Sequence, residues 1–250
     1  MSTIKKSISQ VLKDALKTFK IYPASMASAL GFALVTIVRI HIDWPSQEKY
    51  NFLFNSLHLS LALGAIFSLA AVAIANSKYN DKKAFNLANI LGAIIVVLSF
   101  LLLYFFGGSN HYLDPPRIIR VTDIAAARVS VAIFISMIIF IIIGGHPKDK
   151  SDFSRSLFMT HKAFIIAFIY GIAMIAGASG VAAAIQALLY RNMSYDVYMY
   201  ISTIGGFLAY AIFVGYFPDF RKGSKDEKRD IAQKQPKFIE ILFQYIMVPI

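Results

Sequence analysis

Long apolar blocks alternate with short polar connections along this chain, running from Ala24 to Val38, Phe52 to Ala75, Ala84 to Phe106, Ile124 to Gly145, Ala163 to Tyr190 and Val197 to Phe217. A helix needs about 20 residues to cross a hydrocarbon core of about 30 Å. Five of the blocks meet that length, the fourth with Arg128 inside it, and the first meets it once Arg39 and His41 reach the interface. The pattern predicts an all-α, polytopic transmembrane helical bundle of six spans.

Ahead of the first block, residues 3–20 place Ile4, Ile8, Val11, Leu12, Ala15, Leu16 and Phe19 on one stripe, opposite Lys6, Gln10, Lys13, Lys17 and Lys20. That spacing predicts an amphipathic helix lying in the membrane interface, ended by Tyr22 and Pro23. The predicted organisation is residues 1–22 as a cytoplasmic interfacial helix and residues 23–217 as the six-span bundle. Residues 218–250 follow as a charged cytoplasmic linker and the start of a further membrane-associated helix.

Composition supports the membrane assignment, with 57% apolar and 16% charged residues. Soluble domains carry about a quarter charged residues. The formal charge of +11 would suggest nucleic acid if its position were ignored. Of the 25 Lys and Arg residues, 19 fall in the amino-terminal segment, the second and fourth loops and the tail after the sixth block. The opposite loops hold Arg39, Lys49, Arg117, Arg120 and Arg191, balanced by Asp43, Glu48, Asp114, Asp123 and Asp196. Cytoplasmic loops carry the excess of Lys and Arg, so both termini are expected in the cytoplasm. The expected partner of the basic rim is the bilayer itself, with anionic lipid at the cytoplasmic face; no nucleic acid is expected. Trp44 and Tyr50, Tyr79, Tyr112, Tyr190, Tyr195, Tyr198 and Tyr216 fall near span ends as interface anchors.

Residues 237–248 repeat the opening grammar, a broad apolar face of Phe238, Ile239, Ile241, Leu242, Tyr245 and Ile246 followed by Pro249. With Pro249 as the counterpart of Pro23, a seventh span is expected to follow, making this chain the front part of a longer protein. The segments Lys17-Thr-Phe-Lys-Ile-Tyr-Pro23, Tyr216-Phe-Pro-Asp-Phe220 and Phe238-Ile-Glu-Ile-Leu-Phe-Gln-Tyr-Ile-Met-Val-Pro249 resemble the bacterial integral-membrane family called domain of unknown function 4153. The resemblance covers essentially the whole chain as the front portion of that domain. It implies a multi-pass protein of the bacterial cell membrane and carries no catalytic or binding residues to transfer.

Small residues recur at four-residue spacing where helices pack closely in lipid. Candidate rows are Ala173 with Gly177, Ala176 with Gly180 and Ala184, Ser202 with Gly206, Gly205 with Ala209, Ala27 with Gly31, and Ser25 with Ala29 and Ala33. Intrachain packing is the expected use; a homo-oligomer or a membrane-protein partner is the alternative.

Ionisable groups inside spans mark functional sites by default. Arg39, His58, Arg128 and Gln186 come from four different spans at a similar depth near the outer leaflet. Together they are expected to form a weakly basic outer pocket for an anionic headgroup or solute, Arg128 offering a rigid donor fork and His58 a titratable neighbour. The blander expectation is that Arg39 snorkels, Arg128 snorkels or pairs with Asp123, and His58 satisfies a neighbouring helix.

Reaction chemistry is sparse. Zero cysteines exclude disulfides and thiol nucleophiles in this sequence, and neither a P-loop, a dinucleotide glycine fingerprint nor His-Glu-x-x-His occurs. His146, Asp149, Asp152 and His161 do not match a strong metal spacing, so no metal or cofactor is expected. A non-catalytic membrane scaffold, sensor or accessory subunit is the leading expectation. The alternatives are a transporter or channel for a small or anionic solute, and a lipid-processing membrane enzyme.

Overall fold

The computed structural model describes residues 17–42, 46–108, 121–145, 153–218 and 220. Six long helices account for most of them: α1 Pro23–His41, α2 Asn51–Ile74, α3 Lys82–Phe106, α4 Asp123–Gly144, α5 Phe153–Leu188 and α6 Asp196–Gly215. Each is long and apolar enough to cross a membrane. The described residues contain no strand, only an isolated antiparallel bridge between Gly108 and Val121 where the chain passes from α3 towards α4. The expected all-helical class and the number of spanning-length helices both hold. Most of the expected interfacial helix, the charged tail and Pro249 lie outside the described residues, as do Trp44 and Tyr112; residues 17–21 are helical.

Local chemistry sets the helix ends. Pro23 opens α1 behind Tyr22, where its missing N–H costs nothing because the first helical amides have no internal partner. Thr122 caps α4 by accepting from the Ala125 amide at 3.2 Å. After α2 the chain loosens into a π-turn over Ala75–Tyr79 and reverses at Asn80, whose φ of 49° lies in the left-handed region that asparagine tolerates.

One boundary differs from the sequence reading. The fifth helix starts at Phe153, ten residues before the apolar block, so Arg155, His161 and Lys162 belong to a helix rather than a loop. Ser156, Met159, Thr160 and Ala163 form a buried stripe along that extension. Ser156 Oγ reaches across to donate to the Ile141 carbonyl at 2.6 Å. An amphipathic stripe with an inter-helix hydrogen bond sustains a helix beyond the point where hydropathy alone would end it.

α2 is the centre of the bundle, with contacts to α1, α3 and α4, and half of its most apolar stretch is buried. Its contacts run antiparallel to its sequence neighbours: Gly31 meets Leu61 and Thr36 meets His58 on one side, while Gly64 faces Val96 and Ser68 faces Gly92 on the other. α6 packs on α1 and α5, and α5 is the most peripheral helix. Phe164, Ile165, Phe168, Ile169 and Ile172 of α5 are exposed, as are Val97, Leu102, Phe105, Val131 and Phe134 on α3 and α4. A large apolar outer surface of this kind is the reverse of a water-soluble bundle.

At one end of the bundle lie Tyr22, Lys78, Lys82, Lys83, Gly144, Arg155, Lys162 and Phe217, here termed the lysine-rich end. Phe217 and Phe220 close it by packing edge-on against Phe140 of α4, with ring centroids 4.7 and 5.8 Å away. All three rings are almost fully buried. Nearby, the Lys162 ammonium sits 5.6 Å from the centre of the Tyr216 ring, a cation–π contact. The opposite end holds His41, Tyr50, Phe106, Val121, Leu188 and Tyr195.

Candidate functional site

Polar side chains on α1 and α2 meet in an ordered ladder at the end of the bundle opposite the lysines. Thr36 and Arg39 lie three residues apart on α1, and Asn51, Asn55 and His58 follow a four-then-three spacing on α2, so each set occupies one helix face. The Arg39 guanidinium donates from Nη1 to Asn55 Oδ1 and from Nη2 to Asn51 Oδ1, each at 3.1 Å. Its backbone carbonyl accepts from Gln47 Nε2 at 2.6 Å. Among the described residues the arginine therefore meets neutral amides rather than a carboxylate, and its positive charge is oriented but not cancelled.

One turn deeper, Thr36 Oγ1 donates to the Phe32 carbonyl at 2.8 Å, which uses its only proton. The hydroxyl lies 2.9 Å from His58 Nε2, so the imidazole must carry a proton on Nε2 and donate to the threonine. The Phe32 ring covers the imidazole with centroids 4.5 Å apart. His58 is thus held by a hydroxyl and an aromatic face from the neighbouring helix.

Deeper still, α1, α2 and α6 leave a cavity of about 560 Å³ between them. Ala29, Ala33, Ala62, Ala65 and Gly206 create the space because their side chains stop short, and Phe32, Leu61, Ile66 and Phe207 supply the rest of an apolar wall. A Cβ added at Gly206 would meet nothing within 4 Å, so this glycine opens onto free volume. Thr36 stands at the end nearest the Arg39 ladder, and Tyr210 at the end nearest the lysines. Tyr210 donates to the Ala65 carbonyl at 3.3 Å and Ser25 Oγ lies 2.7 Å from the phenol oxygen. That chain of hydroxyls joins α1, α6 and α2 at one point.

Of the four residues expected to form one outer pocket, Arg39 and His58 do share the α1–α2 ladder. The other two stand apart. Gln186 accepts from the Tyr198 hydroxyl at 2.7 Å, a contact confined to the α5–α6 pair. Arg128 lines a separate cavity of about 320 Å³ between α2, α3 and α4, with Ser99, Leu103 and Phe106. That cavity shares no lining residue with the first. Asp123 and Arg128 form no ion pair; five residues apart, they project from different faces of α4, whereas helical partners stand three or four apart.

No family model, curated protein or solved structure matches the chain.

Several partners escaped the sequence reading. Asn51 and Asn55 orient Arg39, and their spacing with His58 was a legible signal. Asn89 of α3 accepts the Ala24 amide of α1 at 3.1 Å through Oδ1, satisfying one of the unpaired donors at the start of that helix. Tyr210 gives no sequence signal beyond a polar tip in an apolar run. Among the described residues no group of three or more His, Asp or Glu side chains comes together as a metal site would require; residues 146–152 lie outside that description.

Proposed function

We propose that this chain is a multi-pass bacterial cell-membrane protein with both termini in the cytoplasm, acting as a non-catalytic scaffold, sensor or accessory subunit. The observation that carries this reading is the use made of the polar groups within the spans. Ser25 and Tyr210, Thr36 and His58, Arg39 and the two asparagines, Asn89 and the Ala24 amide, Ser156 and the Ile141 carbonyl, and Gln186 and Tyr198 all join one helix to another. Such groups act as inter-helix adhesive where water is absent. A site of proton or group transfer instead keeps its titratable groups directed at a reacting atom.

The lysine excess at one end supports the orientation, and the exposed apolar flanks of α3, α4 and α5 support insertion in a bilayer. The resemblance of the proline-containing segments supports the bacterial assignment. The basic rim is suited to anionic lipid on the cytoplasmic face, and the exposed sides of α5 leave room for a membrane-protein partner or a second copy.

A second reading, passage of a small anionic solute, is favoured by Arg128. This side chain is exposed to its cavity and makes no hydrogen bond or ion pair among the described residues. The test is to reconstitute the full chain in sealed phosphatidylglycerol–phosphatidylcholine vesicles and follow efflux of chloride and phosphate. Efflux equal to that of protein-free vesicles is expected. Efflux that depends on the protein and disappears in Arg128→Leu overturns the scaffold reading in favour of transport.

A further inference from the structure

From the α1–α2–α6 cavity and the cation beyond its end, we infer that the protein carries a lipid site. One acyl chain of an anionic phospholipid lies in the cavity, and its phosphate meets Arg39. This inference rests on the proposal that the six helices cross a bilayer.

The cavity is the right kind of space. Its volume of about 560 Å³ falls among ligand sites generally, which range over about 300–1,000 Å³. Its walls are mainly alanine, glycine, isoleucine, leucine and phenylalanine, which attract hydrocarbon, and its polar groups are the hydroxyls of Thr36, Ser202, Thr203 and Tyr210, with no charged side chain among the lining residues. It lies alongside α1 between Ala29 and Thr36, about 10 Å along the helix axis, and Arg39 follows about 5 Å further on. An apolar slot ending one turn below a cation matches the order of groups in a phospholipid, tail first and phosphate above.

Arg39 is arranged for such a partner. Asn51 and Asn55 take one N–H from each terminal nitrogen, which fixes the plane of the guanidinium. Three of its five donors are left by those two bonds. A fixed, fully charged fork suits bidentate recognition of a phosphate better than a flexible lysine would. The Thr36 hydroxyl and His58 Nε2 bond to each other, so these two polar atoms between tail and phosphate are already partnered.

The test uses the full chain in vesicles of equal phosphatidylglycerol and phosphatidylcholine, with a photoreactive diazirine on the acyl chain of one lipid at a time. Adducts are mapped to peptides by mass spectrometry. Phosphatidylglycerol is expected to label Ser202–Tyr210 and Ala29–Thr36 about five-fold more than phosphatidylcholine, the preference a single basic residue supplies at a membrane surface. Gly206→Leu, whose Cβ meets nothing within 4 Å and so starts in free volume, should remove most of that labelling, as should Ala62→Leu, another lining position. Arg39→Gln should leave tail labelling but equalise the two lipids, and Arg39→Lys should restore part of the preference.

Equal labelling by both lipids in the unaltered protein overturns the inference, as does labelling that survives both filling variants. Excess inorganic phosphate should change nothing; its competition would assign Arg39 to a free anion instead. Protein–protein adducts through the same peptides would assign the cavity to a second copy. Release of the chain by carbonate washing would instead sink the bilayer reading itself, whereas a retained chain without lipid preference sinks only the lipid site.

Discussion

Gly92 of α3 stands so close to Ser68 of α2 that a Cβ on the glycine would overlap the serine side chain. One turn away the relationship is reversed, with Gly64 of α2 facing Val96 of α3. Each helix supplies the gap into which the other fits, and dispersion contacts at short range are what hold apolar helices together in lipid.

Gly64→Leu and Gly92→Leu are therefore expected to destabilise the protein by about 1–3 kcal/mol, the usual cost of forcing extra methylenes into a filled interface. Gly177→Leu and Gly180→Leu on α5 should change stability by less than about 0.5 kcal/mol, because a Cβ at either position meets nothing within 4 Å. Reversible unfolding in mixed detergent micelles measures all four. Equal losses in the two pairs would show that the α2–α3 interlock has no special role.

Ser25, Tyr210 and the Ala65 carbonyl tie three helices at one point. Removing the phenol hydroxyl in Tyr210→Phe keeps the ring's packing while freeing both partners. Inter-helix hydrogen bonds in membrane proteins contribute about 0.6 kcal/mol on average and about 1.7 at most, so a loss in that range is expected. Ser25→Ala should cost less than that when added to Tyr210→Phe than when made alone. Additive losses would mean that the two hydroxyls act independently.

Much of the fold could be read in the sequence because hydropathy sets helix length and number almost alone. The fifth helix shows where that signal fails: Phe153 to Lys162 is too polar to register as a span, yet Ser156, Met159 and Thr160 give it a buried stripe. Helix rotation is the other blind spot. Ala173, Ala176, Gly177, Gly180 and Ala184 offered small-residue rows, but these residues are exposed, and α5 meets α6 through Gly171 against Ala209 and Ile175 against Gly205. A similar depth for Arg39, His58, Arg128 and Gln186 followed from counting residues along spans. Which of them share an interface depends on how each span is turned, and only α1 and α2 turn theirs together.

Thr36 and His58 provide a test of how far the polar ladder is structural. Thr36→Val and His58→Leu should each lower stability, and the double variant should lose less than the sum, with a coupling of about 0.5–1.5 kcal/mol. A thermal unfolding series on the four proteins reads it directly. Zero coupling would leave the 2.9 Å contact without energetic weight.

Phe220 is expected to hold the chain after α6 to the bundle. It packs on Phe140 and lies beside Gly144, both on α4, at the lysine-rich end. Phe220→Ala opens a cavity there and is expected to cost about 3 kcal/mol, the low end for removal of a buried phenylalanine ring. Protease should cut after α6 more readily in that variant. Unchanged proteolysis and unchanged unfolding together would place the anchoring elsewhere.

The zero cysteine count makes orientation testable without first removing native thiols. Lys82→Cys and Tyr190→Cys both lie on exposed positions at opposite ends of the bundle. Translocating a lysine cluster outward is the costly choice for a short loop, so Lys82 should remain inside and Tyr190 should emerge. A membrane-impermeant maleimide applied to intact cells is then expected to label Tyr190→Cys and leave Lys82→Cys unreacted until the cells are broken. Labelling of Lys82→Cys from outside would invert the topology. It would also move Arg39 and the mouth of the α1–α2–α6 cavity to the cytoplasmic leaflet, so this one measurement fixes which leaflet must supply any lipid bound there.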